Sequence, residues 1–532
     1  MSLERDQPHP PPGYLRTADL MAALSLASDL AVGLPAEHAV RSCFIAMRVA
    51  DQMHLPADQR VDVYYAELLM DAGCTAWTSQ LAGAILSDEI AARREFVFQR
   101  NARDPVEVFG WVRDHVASGA SVPRRVRYGL QFALQGREFV REGFRNTCEV
   151  AQRFAARLGM SEAVQAALLS VFEQWDGSGP SGRRGDAIPL TSRIVYATSF
   201  FEAIHQFGGP DAALDLARRK RGTAFDPAVV DAFLAVTRQP GFWPELEQES
   251  LWAQVIALEP RSPRQFVRAE QLEDVALAFA DFADLKSPFT AGHSRRVGDL
   301  AHAIALRLGL PESQVTTTRQ AALLHDVGLA AVPSYTLDRP RDKLSQAEHE
   351  MLRLHPYHAE RIFARVPALA PLVPLVASHH ERMDGRGYYR GLAGEQIPVG
   401  ARIIAVADAF DELTHEAPDR AAVDVDGALS RLQDDAGVGL WPDAVAALRE
   451  ELGATGLPQA RRKSAAQPAG LTDREVEILR MLARGMSRRQ IADELVISQH
   501  TVRHHLEHIY AKVGVGTRVA AALFAVEHDL IR

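Results

Sequence analysis

Between residues 293 and 408 the chain carries His293, the pair His325-Asp326, His355, the pair His379-His380, and Asp408. Imidazole nitrogen and carboxylate oxygen are the donors that borderline divalent metals take. Single and paired ligands this far apart meet only if several helices converge on one axis. Adjacent residues on a helix point about 100° apart, so each pair can serve two neighbouring ions. Seven such ligands suit a two-metal centre, in which the metals clamp a phosphoryl group and generate hydroxide as the nucleophile. Four other histidines between residues 293 and 415, His302, His349, His358 and His415, stand outside the pattern and read as ordinary core or surface side chains.

The elements that must position these groups are helical. From residue 14 onward apolar residues recur at three- and four-residue spacing among many Ala, Leu and Arg, which predicts an all-α fold. The chain has 532 residues, 47% hydrophobic and 24% charged, which excludes wholesale disorder and, at about 150 residues per domain, predicts three domains. The net charge of −9 argues against a protein that coats nucleic acid along its whole length. No run of 18 apolar residues predicts a membrane span. The Pro-rich start is not a signal peptide. Three scattered cysteines, Cys43, Cys74 and Cys148, form no disulfide framework, so a cytoplasmic location is expected.

The sequence contains a long internal repeat. Asp29 to Gly73 aligns with Asp284 to Gly328 at a constant offset of 255, and Glu173 to Gly179 aligns with Glu381 to Gly387. The expected organisation is a disordered tail at 1–13, a first helical domain at 14–245, a helical connector at 246–269, a second helical domain at 270–455, a flexible basic linker at 456–470, and a small domain at 471–532. In the first copy Met70 stands for His325, Val171-Phe172 for His379-His380, and Ser199 for Asp408. Only His38 and Asp71 remain, too few to hold a metal. Apolar residues at ligand positions suit a filled core.

The second copy resembles the HD-GYP family of metal-dependent phosphohydrolases. The likeness rests on Thr290 to Val297, Leu323 to Gly328, His355-Pro356, His379 to Tyr388, and Ala407 to Asp411. It implies an all-α fold with two, or even three, iron or manganese ions, and hydrolysis of a phosphodiester, most often cyclic di-GMP. By motif position, His293, His325, Asp326 and Asp408 would hold one metal, and Asp326 would bridge to a second held by His355, His379 and His380. Glu381 would steady a ligand histidine, and Arg386 would contact phosphate. Two positions depart from the family. Leu329 stands where a Lys usually follows the Gly of the His-Asp motif, and Tyr389 stands where Pro ends the Gly-Tyr-Pro motif. These departures speak against ordinary cyclic di-GMP turnover and leave another phosphate ester, slow turnover, and ligand sensing without turnover as readings.

The last 77 residues hold 12 Lys and Arg against 8 Asp and Glu. Thr472 to Glu475 and Ser487 to Gln490 have the spacing of capping boxes, and Gly485 suits a helix end. A third helix from Ser498 carries Val502, Leu506, Ile509 and Val513 on one stripe. Its other face offers Gln499, His500, Arg503, His504 and Lys512 to a major groove. The segment resembles the LuxR-type DNA-binding domain, which implies that 498–513 is the recognition helix. Thr501, Val502, Arg503 and His505 fall at its DNA-facing or helix-orienting positions. Lys512 and Arg518 match places that contact phosphate or fix the last helix.

The reading preferred from sequence is a homodimeric transcriptional regulator that binds double-stranded DNA and senses or hydrolyses a phosphorylated nucleotide at two divalent transition metals. The alternatives are a phosphohydrolase merely localised by its DNA-binding tail, and a LuxR-type transcription factor with a dead HD domain.

Overall fold

The computed structural model describes residues 14–98, 105–260, 266–268, 271–455 and 467–531. The expected disordered tail at 1–13 lies outside the described residues, as does 456–466 of the expected linker. The described chain is almost entirely helical. Its one sheet is a two-stranded antiparallel pair, Tyr14–Arg16 with Phe266–Arg268. The chain divides into two compact units, Met1–Val275 and Ala276–Arg532. No single described helix is long and apolar enough to cross a membrane.

Each unit is built around one helix of the repeat. In the first, His38–Gln52 packs against Ala57–Leu69 and Leu190–Lys220. In the second, His293–Arg307 packs against Glu312–Leu324, Val399–Thr414 and Pro442–Thr455. The described part of segment 246–269, expected to be a helical connector, falls within the first unit. Its helix Leu251–Leu258 packs on His38–Gln52. The buried Glu259 carboxylate then accepts from Arg16 Nε at 2.9 Å and from the Tyr65 hydroxyl at 2.7 Å. A buried carboxylate needs such partners, and they tie the segment down.

A glycine shows how the two copies correspond where the sequence alignment fails. A Cβ on Gly328 would lie 1.9 Å from the carbonyl oxygen of His355, and a Cβ on Gly73 would lie 2.0 Å from that of Thr147. Both positions therefore require Gly, because a helix passes directly over the backbone there. Thr147 thus stands where the second copy has His355. From Gly73 to Thr147 is 74 residues and from Gly328 to His355 is 27, so the first copy carries 47 extra residues there.

The rest of the first copy's core confirms that donor atoms have been replaced. Met70 and Val171 are buried. His38 Nε2 faces the Ser199 hydroxyl at 3.1 Å, and its Nδ1 is bonded to Glu202. Burial opposes charge on His38, but the Glu202 carboxylate outweighs it and raises the pKa to about 9. A histidine raised in the folded state adds stability that is complete below its ordinary pKa, about 6.5, and lost as pH rises through 9. Thermal unfolding of the first unit should therefore shift downward between pH 7 and pH 9.5, and His38→Gln should flatten that slope. An equally steep slope in the variant, followed by differential scanning calorimetry, would refute the assignment.

Candidate metal centre and recognition helix

The second copy brings all seven predicted ligands together. His325 and Asp326 end the helix Glu312–Leu324, His355 opens His355–Phe363, His379-His380 follow Val373–Val376, and Asp408 lies within Val399–Thr414. Ligand atoms of Asp326, His355, His379 and His380 lie within 4.8 Å of one another, as do those of His293, His325 and Asp326. Asp326 joins the two groups. Its Oδ1 is 3.2 Å from His355 Nε2 and 3.9 Å from His379 Nε2, while its Oδ2 is 3.6 Å from His293 Nε2 and 3.5 Å from His325 Nε2. Asp408 Oδ1 lies 3.2 Å from His293 Nε2.

The donor chemistry fits divalent cations. His325, His355 and His379 each point Nδ1 at the carbonyl three residues earlier, at 2.7, 2.6 and 2.7 Å. That bond places the proton on Nδ1 and leaves the Nε2 lone pair free for a metal. The Nε2 atoms then face each other in pairs, His293 with His325 at 3.3 Å and His355 with His379 at 3.0 Å. Burial, reinforced by the neighbouring imidazoles, holds His379 well below the usual histidine range and lowers His380 to about 3. Both are therefore neutral at pH 7, the form that ligates. Burial alone would raise Asp326; the imidazoles around it, His325 first, hold it well below the carboxylate range.

Asp411 is a site residue that motif reading missed. Its Oδ2 is 2.8 Å from His293 Nδ1, and it takes Arg296 bidentately at 2.7 and 2.9 Å. It thus orients a ligand histidine from behind. The signal was present in the repeat, because Glu202 aligns with Asp411 and binds His38 and Arg41 in the same way. His415, read as an ordinary side chain, lies with Nδ1 3.2 Å from Asp411. Tyr388 is the second residue missed. Its ring stacks on His380 at 4.7 Å and 27°, with the Arg353 guanidinium 5.1 Å from its centroid.

Glu381 does not steady a histidine. Its oxygens accept the backbone N–H groups of Arg390, Gly391 and Leu392 at 2.7, 3.1 and 2.9 Å. Glu173 holds the equivalent loop of the ligand-free copy through the N–H groups of Ser181 and Arg183. The glutamate therefore shapes the loop. Arg386 is exposed on that loop, with its N–H donated to Asp384 at 2.9 Å.

The C-terminal segment forms four helices, Asp473–Ala483, Arg488–Glu494, Gln499–Val513 and Arg518–Glu527, around Val476, Leu479, Ile491, Leu506, Ile509 and Phe524. Both capping boxes are present, and Ser498 caps Gln499–Val513. Gln499, His500, Thr501, Arg503 and His504 are exposed along that helix and His505 is half-buried. For three residues of the set expected to face DNA or to fix the helices, the structure shows contacts within the scaffold. Val502 is in the core. Lys512 Nζ reaches Glu475 at 2.7 Å and the Gly470 carbonyl at 3.1 Å. Arg518 Nη2 donates to the Leu482 and Met486 carbonyls at 2.9 and 2.7 Å, satisfying the open end of the first helix.

Residues 278–445 match the HD domain family, and residues 469–525 match the bacterial regulatory proteins of the luxR family. The 3'3'-cGAMP-specific phosphodiesterase 3 of Vibrio cholerae serotype O1 is 31% identical over 436 residues, spanning 82% of this chain and 94% of that protein. The chain belongs to the HD-GYP family. The cyclic di-GMP phosphodiesterase response regulator RpfG of Xanthomonas campestris is 35% identical over 210 residues, 38% of this chain and 54% of its own. A crystal structure of the Vibrio cholerae cyclic GMP-AMP specific phosphodiesterase V-cGAP3 superposes with a TM-score of 0.57 at 29% identity, over 83% of this chain and 98% of that one. This HD-GYP protein also carries a LuxR-type DNA-binding domain, and its HD-domain relatives are metal-dependent. Because Asp326 reaches both donor groups, Asp326→Ala should lower the metal bound per chain by more than half. Unchanged metal content by elemental analysis would remove Asp326 from the ligand set.

Proposed function

We propose that this HD-GYP protein hydrolyses a cyclic dinucleotide, with 3'3'-cGAMP as the favoured substrate, and that its LuxR-type domain binds promoter DNA, so that nucleotide turnover and transcription share one chain. The observation that carries this reading is the complete donor set with Asp326 shared between its two groups. Support for the substrate class comes from the relative that matches over 94% of its own length.

His293, His325, Asp326 and Asp408 would hold one metal, and Asp326, His355, His379 and His380 the other. Iron or manganese suits this mixed nitrogen and oxygen set. When bound, the pair supplies a Lewis-acidic clamp for a phosphodiester and a hydroxide at neutral pH. The chain's own residues do the rest. Asp411 and Arg296 fix the His293 ring. Tyr388 covers one face of His380 and limits water there. Leu329 supplies no charge, and a missing donor to the phosphate commonly slows such chemistry by about 100–1000-fold. The guanidinium of Arg353 lies over the Tyr388 ring and brings a cation to this wall of the site. Slow hydrolysis suits a domain that reports nucleotide level as well as removing it.

Purified protein reconstituted with Mn²⁺ should convert 3'3'-cGAMP to a linear dinucleotide, followed by chromatography, and Asp326→Ala should abolish the conversion. Nucleotide binding without cleavage by fully metallated protein would make the domain a sensor.

On the DNA side, Arg503 is exposed, with Nε 2.9 Å from Glu507, and is free to exchange that weak surface pair for a base or phosphate. Arg503→Ala should weaken binding to fragments enriched from a random DNA pool by about tenfold, with metal content unchanged. Unchanged affinity in a gel shift at fixed salt would remove Gln499–Val513 from the groove.

A further inference from the structure

The 47 residues that the first copy has in excess include Pro105–His115 and the first turns of the 36-residue helix Val122–Arg157. Nothing in the fold shared with the second copy requires them. On its inner side this helix packs Tyr128, Phe132 and Phe139 against a cluster centred on Trp77 and Trp111. Its outer side presents Val122, Val126, Leu130 and Leu134, exposed by 72, 56, 61 and 86%, and Phe109 of the preceding helix is exposed by 72%. At 100° per residue the inner and outer sets point roughly 160° apart. The aliphatic stripe is therefore a separate face, and the core does not use it.

We propose that this stripe is where two copies of the chain pair, giving a two-fold dimer. The four stripe residues, neighbours at i, i+4 spacing, together with Phe109 expose roughly 600 Å² of apolar residues, at the upper end of what a monomer leaves open. With a polar rim, that approaches the about 800 Å² per partner of a specific interface. A single regular stripe is self-complementary, as a two-fold contact demands. Pairing also supplies a second recognition helix, which a short helix-turn-helix needs in order to read two half-sites. In this respect the inference rests on the proposed DNA-binding role, although the interface itself does not.

Sedimentation equilibrium of the full chain should give twice the 58.4 kDa chain mass at micromolar concentration. Leu130→Glu/Leu134→Glu, and separately Val126→Glu, should weaken dimerisation by about 100-fold or more, because like charges would face each other across the axis. These positions are exposed, so circular dichroism should show unchanged helix content. A wild-type monomer at tens of micromolar, or variants that dimerise as tightly as wild type, would overturn the proposal. A monomer that co-floats with phosphatidylglycerol vesicles would overturn it in favour of a membrane surface. Failure of DNA binding in a protein that still dimerises through this stripe would leave the interface standing and count only against the DNA-binding role.

Discussion

In the metal lobe, buried imidazole lone pairs are aimed at one another, and much of the surrounding structure exists to keep them there. With each Nδ1 committed to its own partner, the Nε2 atoms approach one another at 3.3 and 3.0 Å, an arrangement that suits a bound cation, which would offset the cost of removing these groups from water. Each ring is locked from behind: three by the carbonyl one turn earlier, and His293 by Asp411, itself clamped by Arg296. The close backbone crossing at Gly328 brings the His355 helix onto the His325-Asp326 turn. A larger residue there would separate the two donor groups that Asp326 has to join.

The duplication separates scaffold from chemistry within a single chain. Both copies keep the glycine crossing, the histidine with its carboxylate and arginine, and the glutamate that gathers loop amides. The copies differ at the donor atoms, where Met70, Thr147, Val171, Phe172 and Ser199 replace the second copy's ligands. What the ligand-free copy retains is therefore needed for folding. That assigns Glu381 to the loop and Asp411 to orientation, whereas the motif alone suggests neither role. It also explains why the first copy's buried polar cluster stays intact without a metal: Ser199 gives the His38 Nε2 a neutral partner in place of a cation.

Polar side chains of the DNA-binding domain divide in a similar way. Lys512 and Arg518 are the cations a charge count would send to the phosphate backbone, but both are spent on carbonyls and on the capping glutamate of the first helix. Open helix ends need donors and acceptors before any ligand arrives. The free face of Gln499–Val513 is consequently less basic than its composition implies, and Arg503 is the exposed guanidinium along it.

The all-α class, the repeat and the family were legible in the sequence, and so were the residues of the donor cluster that the fold brings together, because each depends on residue type at short or constant spacing. Ligand types, capping boxes and the 3–4 periodicity are local properties that tertiary context did not override. The rest depended on contacts between distant segments. Thr147 could not be matched to His355 across an insertion of 47 residues, and only the carbonyl lying over Gly73 revealed it. Segment 246–269 looked like a connector because nothing in its own composition shows that Glu259 would be buried against Arg16 and Tyr65. Glu381, Lys512 and Arg518 have side chains suited to either chemistry or scaffolding. Sequence determines what such a group can do; the fold decides which unsatisfied backbone atom reaches it first.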